Sequence, residues 1–237
     1  MLTKEGESPF PFDIDVLIPA YNEEDSIGKV VQDVPALVRH IVVVNNNSID
    51  RTASVAKAAG AIVIDEPQMG YGKVCLTGMA YLSSLPKPPD ILVFLDGDYS
   101  DYPEQLTDLI TPILNEGYEM VIGSRAKGKR QAGSMTPPQV FGNWLATSLM
   151  RWIYKVDYTD LGPFRAIKWK QLEGLGMVDQ NYGWTVEMQI KAAKQGLKTM
   201  EIPVDYRKRI GISKVSGTIK GVIGAGYKIL WTIWKYR

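Results

Sequence analysis

The chain has 237 residues, with 27 lysines and arginines against 26 aspartates and glutamates. That length suits one large domain with a substantial core. The near-neutral balance excludes the global field that gathers nucleic acid, so a charged ligand must be met by a local patch. Cys75 is the only cysteine, which rules out an intramolecular disulfide and fits a reducing compartment.

Residues 1–12 are acidic and proline-bearing without an apolar core, and are expected to form a flexible lead rather than a signal peptide. IDVLIPA (14–20) reads as a buried strand, followed by a helix over 23–38 with Ile27, Val30, Val31 and Val34 at helical spacing. A second strand is expected over 40–47, a second helix over 50–60 closed by Gly60, and a third strand over 61–66. After Gly70 and Gly72 come a helix (73–85), a strand (90–98), a helix (103–117) and a strand (118–125). Such alternation implies an α/β fold whose mostly parallel sheet is covered by helices on both faces. Ligands of such sheets sit beyond the carboxyl ends of the strands, where this chain puts YNEE, NNNSID, DGDYSD and SR.

From residue 126 the composition turns basic, with glycine and proline, and 126–139 reads as a mobile loop. An aromatic-rich helix (140–154), the loop YTDLGPFRA (158–166), an amphipathic segment (186–196), a strand (200–206), a basic loop (207–217) and a last helix (218–237) follow. No segment has the roughly 20 uninterrupted apolar residues of a membrane span.

In VFLDGDYSDYP (93–103) an apolar strand delivers Asp96 and Asp98 to one spot, with a third carboxylate at Asp101. Gly97 is expected to permit the turn that aims both carboxylates into one cleft. Hard divalent cations take oxygen ligands, and magnesium binds through one or two carboxylates with phosphates and water completing its shell. Asp96 and Asp98 therefore point to a metal and diphosphate site.

VLIPAYNEE, VVVNNNSIDRT, GYGK, VFLDGDYSDYPE and VIGSR, in this order, resemble the nucleotide-sugar half of the family 2 glycosyltransferases with a GT-A fold. TDLGPFRAI, YGWTVEMQ and PVDYRKRIGISKVSG resemble the dolichol- or polyprenol-phosphate sugar synthase branch. The resemblance implies a catalytic domain over 13–215, divided into a nucleotide-sugar half (13–125) and an acceptor half (126–215), with an amphipathic helix over 216–237. It implies an inverting, metal-dependent hexosyltransferase using a UDP- or GDP-sugar, Mg2+ or Mn2+, and a polyprenyl phosphate acceptor. Pro19, Ala20, Tyr21 and Glu23 match the family's first nucleoside contact, and tyrosine can pack on a nucleoside while a carboxylate accepts from ribose or base. Asn45 and Asn46 stand where the family has an acidic pair; asparagine both donates and accepts, which leaves uracil and guanine open. Ser100 stands where that branch commonly has a glutamine on the metal, leaving Asp101 or water in its place.

The leaving diphosphate needs cations, for which Arg125 and Lys73 are the candidates. Arg165, Arg207, Arg209 and Lys214 are candidates for the acceptor phosphate, because a guanidinium bonds two phosphate oxygens at once. A phosphomonoester is already anionic near neutral pH, so no general base is required and His40 is assigned no catalytic role. In the last helix Lys220, Lys228 and Lys235 oppose an apolar arc of Ile219, Val222, Ile223, Ile229, Leu230, Ile233 and Trp234. That pattern suits a membrane interface or a protein partner. The expected setting is the cytoplasm, peripheral at the inner face of the membrane, with a membrane-protein partner as a further possibility. Two alternatives stand beside this reading: transfer to a glycan or soluble acceptor with Asp160 as base, and a noncatalytic nucleotide-sugar-binding subunit of a membrane complex.

Overall fold

A computed structural model describes residues 12–211, 213 and 219–237, with backbone alone for Ile219 and Lys220. Apart from Phe12 the expected lead lies outside the described residues, as does Lys214.

Seven strands form one mixed sheet: β1 (Ile14–Ala20), β2 (His40–Asn45), β3 (Ile62–Asp65), β4 (Ile91–Phe94), β5 (Met120–Ser124), β6 (Arg165–Lys168) and β7 (Thr199–Pro203). Their order is β3-β2-β1-β4-β6-β5-β7. All neighbours run parallel except β6, which is antiparallel to both β4 and β5. The sequence reading treats 158–166 as loop and misses this strand, which is four residues long and follows a glycine and a proline.

Alternate residues of each strand feed opposite cores, as the pleat requires. Leu17, Val42, Leu92, Phe94, Met120 and Ile167 face one cluster, and Val16, Ile18, Val43, Val93, Val121 and Ala166 the other. The second is covered by α1 (Ile27–Asp33), α2 (Thr52–Ala58) and α4 (Leu106–Asn115). The first is covered by α3 (Tyr71–Ser83), α5 (Pro137–Tyr154), α6 (Trp169–Leu175), α7 (Trp184–Lys194) and part of α8 (Ile219–Lys235).

Two helices differ from expectation for local reasons. α1 stops at Asp33 because Val34 precedes a proline and is extended, at ψ 127°. α5 starts three residues early: Pro137 takes the first turn, and Gln139 Oε1 accepts the Thr136 N–H at 2.7 Å.

The apolar arc expected of the last helix splits in two. Ile233 is buried and Ile229 packs on the core, whereas Ile223, Leu230, Trp231 and Trp234 are exposed. Tyr154 donates its hydroxyl to Ile233 O, Lys194 donates to Tyr236 O at 2.7 Å, and Lys228 pairs with Asp179 at 2.9 Å. Lys228 therefore faces the protein. Among the described residues no helix is long and apolar enough to cross a membrane.

The GYGK turn meets the backbone of residues 179–180. Gly70 has φ 148°, a Cβ on Gly70 would collide with Gln180 O, and one on Gly72 with Asp179 O. The Lys73 N–H donates to Gln180 O at 3.0 Å and completes the junction. Gly72→Ala should destabilise the protein by about 1–3 kcal/mol through overpacking. Gly174→Ala, in α6 with open space around it, should gain about 0.5–1 kcal/mol. Thermal unfolding of the two variants checks the contrast; equal midpoints would contradict the packing described.

Candidate active site

β4 ends at Phe94, and residues 95–101 carry the carboxylate turn across the sheet's carboxyl edge. Gly97 is not the left-handed residue of this turn; Tyr99 is, at φ 63°. Gly97 is needed for space, because a Cβ there would stand 3.3 Å from Pro19 O and Ile27 Cδ1.

Arg207 holds the turn in shape. Its guanidinium lies between the rings of Tyr99 and Tyr102, 3.3 and 4.2 Å from their centroids, and donates to Tyr99 O at 2.6 Å and Asp101 O at 3.1 Å. The Arg207 N–H donates to Ser100 O and the Ile210 N–H to Asp98 O. The segment carrying the basic residues is thereby fixed against the carboxylates. Arg207, a candidate phosphate ligand by composition, clamps the carboxylate turn instead.

Asp98 Oδ1 accepts the Ser100 N–H at 2.9 Å and the Ser100 hydroxyl. Its Oδ2 lies 3.0 Å from Arg209 Nη1, while Arg209 Nη2 reaches Glu23 Oε1 at 2.6 Å. Asp96 Oδ1 accepts the Tyr71 hydroxyl at 3.2 Å. Burial, then the charge of Asp98, pushes the Asp96 carboxyl up to about 7. Asp101 is buried with neither oxygen bonded, and burial, then Asp96, raises its carboxyl well above the usual range. It lines neither cavity described below.

Arg125 follows β5 and meets Asp160 through two side-chain contacts, Nη2–Oδ1 at 2.6 Å and Nε–Oδ2 at 2.9 Å. Asp160 also accepts the backbone N–H groups of Arg125 and Gly162. Burial opposes its charge, but Arg125 and these donors outweigh it and hold the carboxyl below its ordinary value. A carboxylate with four donors and lowered basicity is a poor proton acceptor, which removes the physical basis for Asp160 as a general base.

Two cavities meet at this cluster. One, about 380 Å³, is lined by Pro19, Ala20, Tyr21, Glu23, Asn46 and Asp96 among others. The other, about 340 Å³, passes Arg125 and runs between α5 and α8 along Pro138, Gly142, Val222, Gly226 and Ile229. Both are lined by Tyr71, Asp96, Asp98, Tyr182 and Arg209.

The remaining candidates lie elsewhere. Asn46 lines the first cavity, yet its amide donates to Glu66 O and Gln68 O and accepts the Gly70 N–H, tying the loop after β3 to β2. Asn45 donates to Asp65 Oδ1 at 2.7 Å and lines neither cavity. Lys73 pairs with Glu66 at 3.5 Å and also lines neither. Arg165 is 1% exposed on β6, donating to the carbonyls of Leu161, Gly162 and Thr185. Burial lowers its guanidinium to about 10. Tyr71 and Tyr182 line both cavities and are not among the candidates from sequence, although they stand inside the GYGK and YGWTVEMQ motifs.

Asp96 and Asp98 fit a hard divalent cation. The raised Asp96 carboxyl and the guanidinium already seated on Asp98 mark a place short of positive charge. Among the described residues no three acidic, histidine or cysteine side chains could hold an ion alone, so phosphate or water would complete its shell.

The model of glycosyl transferase family 2 matches residues 15–175. A glycosyltransferase of Mycobacterium tuberculosis is 34% identical over 218 residues, covering 89% of this chain and 93% of the relative. The dolichyl-phosphate hexose transferase of Haloferax volcanii is 29% identical over 209 residues, 86% of each chain. Among solved structures, glucosyl-3-phosphoglycerate synthase of M. tuberculosis, in complex with Mn2+, UDP and its product, superposes with a TM-score of 0.76 at 20% identity. The match covers 95% of this chain and 80% of that one, and the likeness establishes the GT-A fold.

The Asp96 carboxyl titrates higher folded than unfolded, so the stability it contributes is complete below about 4 and is lost as pH rises through about 7. Asp96→Asn cannot ionise there. Without metal, its stability relative to the natural protein should be greater at pH 8 than at pH 5, by on the order of 2 kcal/mol. Denaturant unfolding in EDTA at both pH values measures this, and an equal difference at the two would contradict the assignment.

Proposed function

The chain belongs to glycosyl transferase family 2, and on that premise we propose that it transfers a hexosyl group from a UDP- or GDP-sugar to a polyprenyl phosphate at a membrane surface. The observation that carries this reading is the second cavity, which leads from the carboxylates between α5 and α8; its α8 wall of Val222, Ala225, Gly226 and Ile229 is apolar, and the polar Gln139 and Asn143 of its α5 wall are engaged with backbone groups. A glycan acceptor calls for polar walls along its length, whereas an isoprenoid needs apolar walls and a cation at one end. The dolichyl-phosphate hexose transferase among the relatives supports the acceptor class, and UDP with Mn2+ in the structural neighbour is in keeping with the donor.

In this reading the nucleoside lies in the first cavity along Pro19, Ala20 and Tyr21, with Glu23 facing ribose or base. Asp96 and Asp98 hold magnesium or manganese, which when bound supplies positive charge to the leaving diphosphate. An anionic oxygen of the acceptor phosphate attacks the anomeric carbon from the second cavity as the bond to the β-phosphate oxygen breaks. The electron pair leaves with the nucleoside diphosphate, and the anomeric configuration inverts. No proton has to be removed, which fits the absence of basicity at Asp160. Arg125, fixed by Asp160, presents its cation beside the reacting groups without reorganisation. Arg209 stands between the donor and acceptor sides.

Incubation with UDP- and GDP-sugars, a divalent metal, and either a short polyprenyl phosphate or 3-phosphoglycerate, with products read by mass spectrometry, tests the reading. A hexosyl phosphopolyprenol is expected; a product from 3-phosphoglycerate alone would overturn it. A side chain added at Gly226 meets open space in the second cavity. Gly226→Leu should therefore raise KM for the lipid phosphate about tenfold or more, with KM for the sugar nucleotide nearly unchanged. Equal effects on both would place the lipid elsewhere.

A further inference from the structure

The outward side of α5 lies away from the two cavities that meet at the carboxylates. Val140, Phe141, Trp144, Ser148, Arg151, Trp152 and Lys155 fall on one helical arc by their spacing. Phe141, Trp144 and Trp152 are 60%, 60% and 65% exposed. Large aromatics left in water on one helix face call for a partner. The charge of this stretch is mostly basic: from Ala126 to Val156 the chain has Lys127, Lys129, Arg130, Arg151 and Lys155 and no acidic residue, although Lys127 pairs with Glu201 and Arg151 with Asp157.

A third cavity of about 230 Å³ opens on this side, lined by Arg130, Trp144, Thr147, Ser148 and Arg151, and also by the buried Asp160, whose carboxylate is paired with Arg125. Among the described residues Arg130 Nη1 meets a weak acceptor, Met135 Sδ at 3.5 Å. Arg151 Nε bonds Asp157, whose side chain is 87% exposed, and such solvated pairs are readily exchanged. Two guanidiniums and a serine hydroxyl beside a tryptophan form a receptor for a phosphodiester at an apolar boundary.

We propose that the outward face of α5 docks on a bilayer of anionic phospholipid, with a headgroup phosphate received between Arg130 and Arg151 and with Phe141, Trp144 and Trp152 entering the interface. The proposal rests on the reading that the acceptor is a membrane lipid. It assigns the docking surface to α5, whose exposed Trp144 borders the cavity shared by Arg130 and Arg151, rather than to α8, where Lys228 is engaged by Asp179 and Arg237 by the Trp234 ring.

Full-length protein is sedimented with vesicles of phosphatidylcholine alone and with phosphatidylglycerol added. Arg130→Gln with Arg151→Gln should weaken partitioning onto the anionic vesicles about fivefold for each arginine, hence about 25-fold for the pair, and leave the weak binding to phosphatidylcholine. Phe141→Ser with Trp144→Ser should reduce binding to both vesicles. All variants should transfer sugar to a short, water-soluble polyprenyl phosphate at the natural rate, which separates vesicle binding from catalysis and reports folding. Headgroup-selective binding that persists when no lipid phosphate is a substrate would leave the docking face standing and the acceptor reading overturned. Unchanged partitioning of the arginine variant would overturn the docking face. So would loss of binding only in Trp231→Ser with Trp234→Ser on α8, or burial of the α5 face in a self-association that the Trp144 variant dissolves.

Discussion

Two carboxylates brought side by side at the end of a buried strand repel each other, and the protein around them is arranged to tolerate that repulsion until a cation arrives. Burial first, and then the charge of Asp98 beside it, raises the Asp96 carboxyl to about 7. Arg209 neutralises part of the charge from Asp98. The segment carrying Arg209 is registered against the turn by backbone bonds to Ser100 and Asp98 and by the stacked guanidinium of Arg207. Carboxylate turn and cationic segment thus form one unit, and displacing either moves the other.

The arginines divide the work by burial. Arg165 lies behind the site, its desolvated guanidinium bonded to backbone carbonyls that include Leu161 and Gly162, so it fixes the loop that presents Asp160. Asp160 in turn fixes Arg125, and Arg125 reaches the second cavity. This succession, from a strand residue through a loop carboxylate to a cavity cation, preorganises positive charge at the second cavity, where the proposed reaction releases a diphosphate. Removing Asp160 would leave Arg125 free to turn, so its importance to the site does not depend on proton transfer.

Much of this was legible in the sequence. The apolar runs of β1, β2, β4 and β5 are buried on both faces and read unambiguously, and the polar residues that follow them had to stand at one edge of the sheet. The short antiparallel β6 was not legible, because four residues after a glycine and a proline carry no periodicity of their own and exist as a strand only through β4 and β5. Side-chain roles were legible only where chemistry dictates them. Asp96 and Asp98 stand together as a strand-end D-x-D pattern suggests, but whether a basic side chain faces the cleft or the interior depends on tertiary packing. Lys73 turned to Glu66, Arg165 to backbone carbonyls and Arg207 to two tyrosines, none of which a basic motif discloses. Gly97 suits the turn because a larger residue would be crowded, its Cβ standing 3.3 Å from Pro19 O and Ile27 Cδ1.

The account makes the junction of the two cavities the place where donor and acceptor meet, one arriving along β1 and the other between α5 and α8. Photo-crosslinking with a polyprenyl phosphate bearing a diazirine in its isoprenoid chain, followed by peptide mapping, tests that division most directly. The account predicts label on peptides from 137–154 and 219–237, competed by unlabelled polyprenyl phosphate and unaffected by a nucleoside diphosphate. Label on residues 16–24 or 69–74, displaced by the nucleotide, would contradict it.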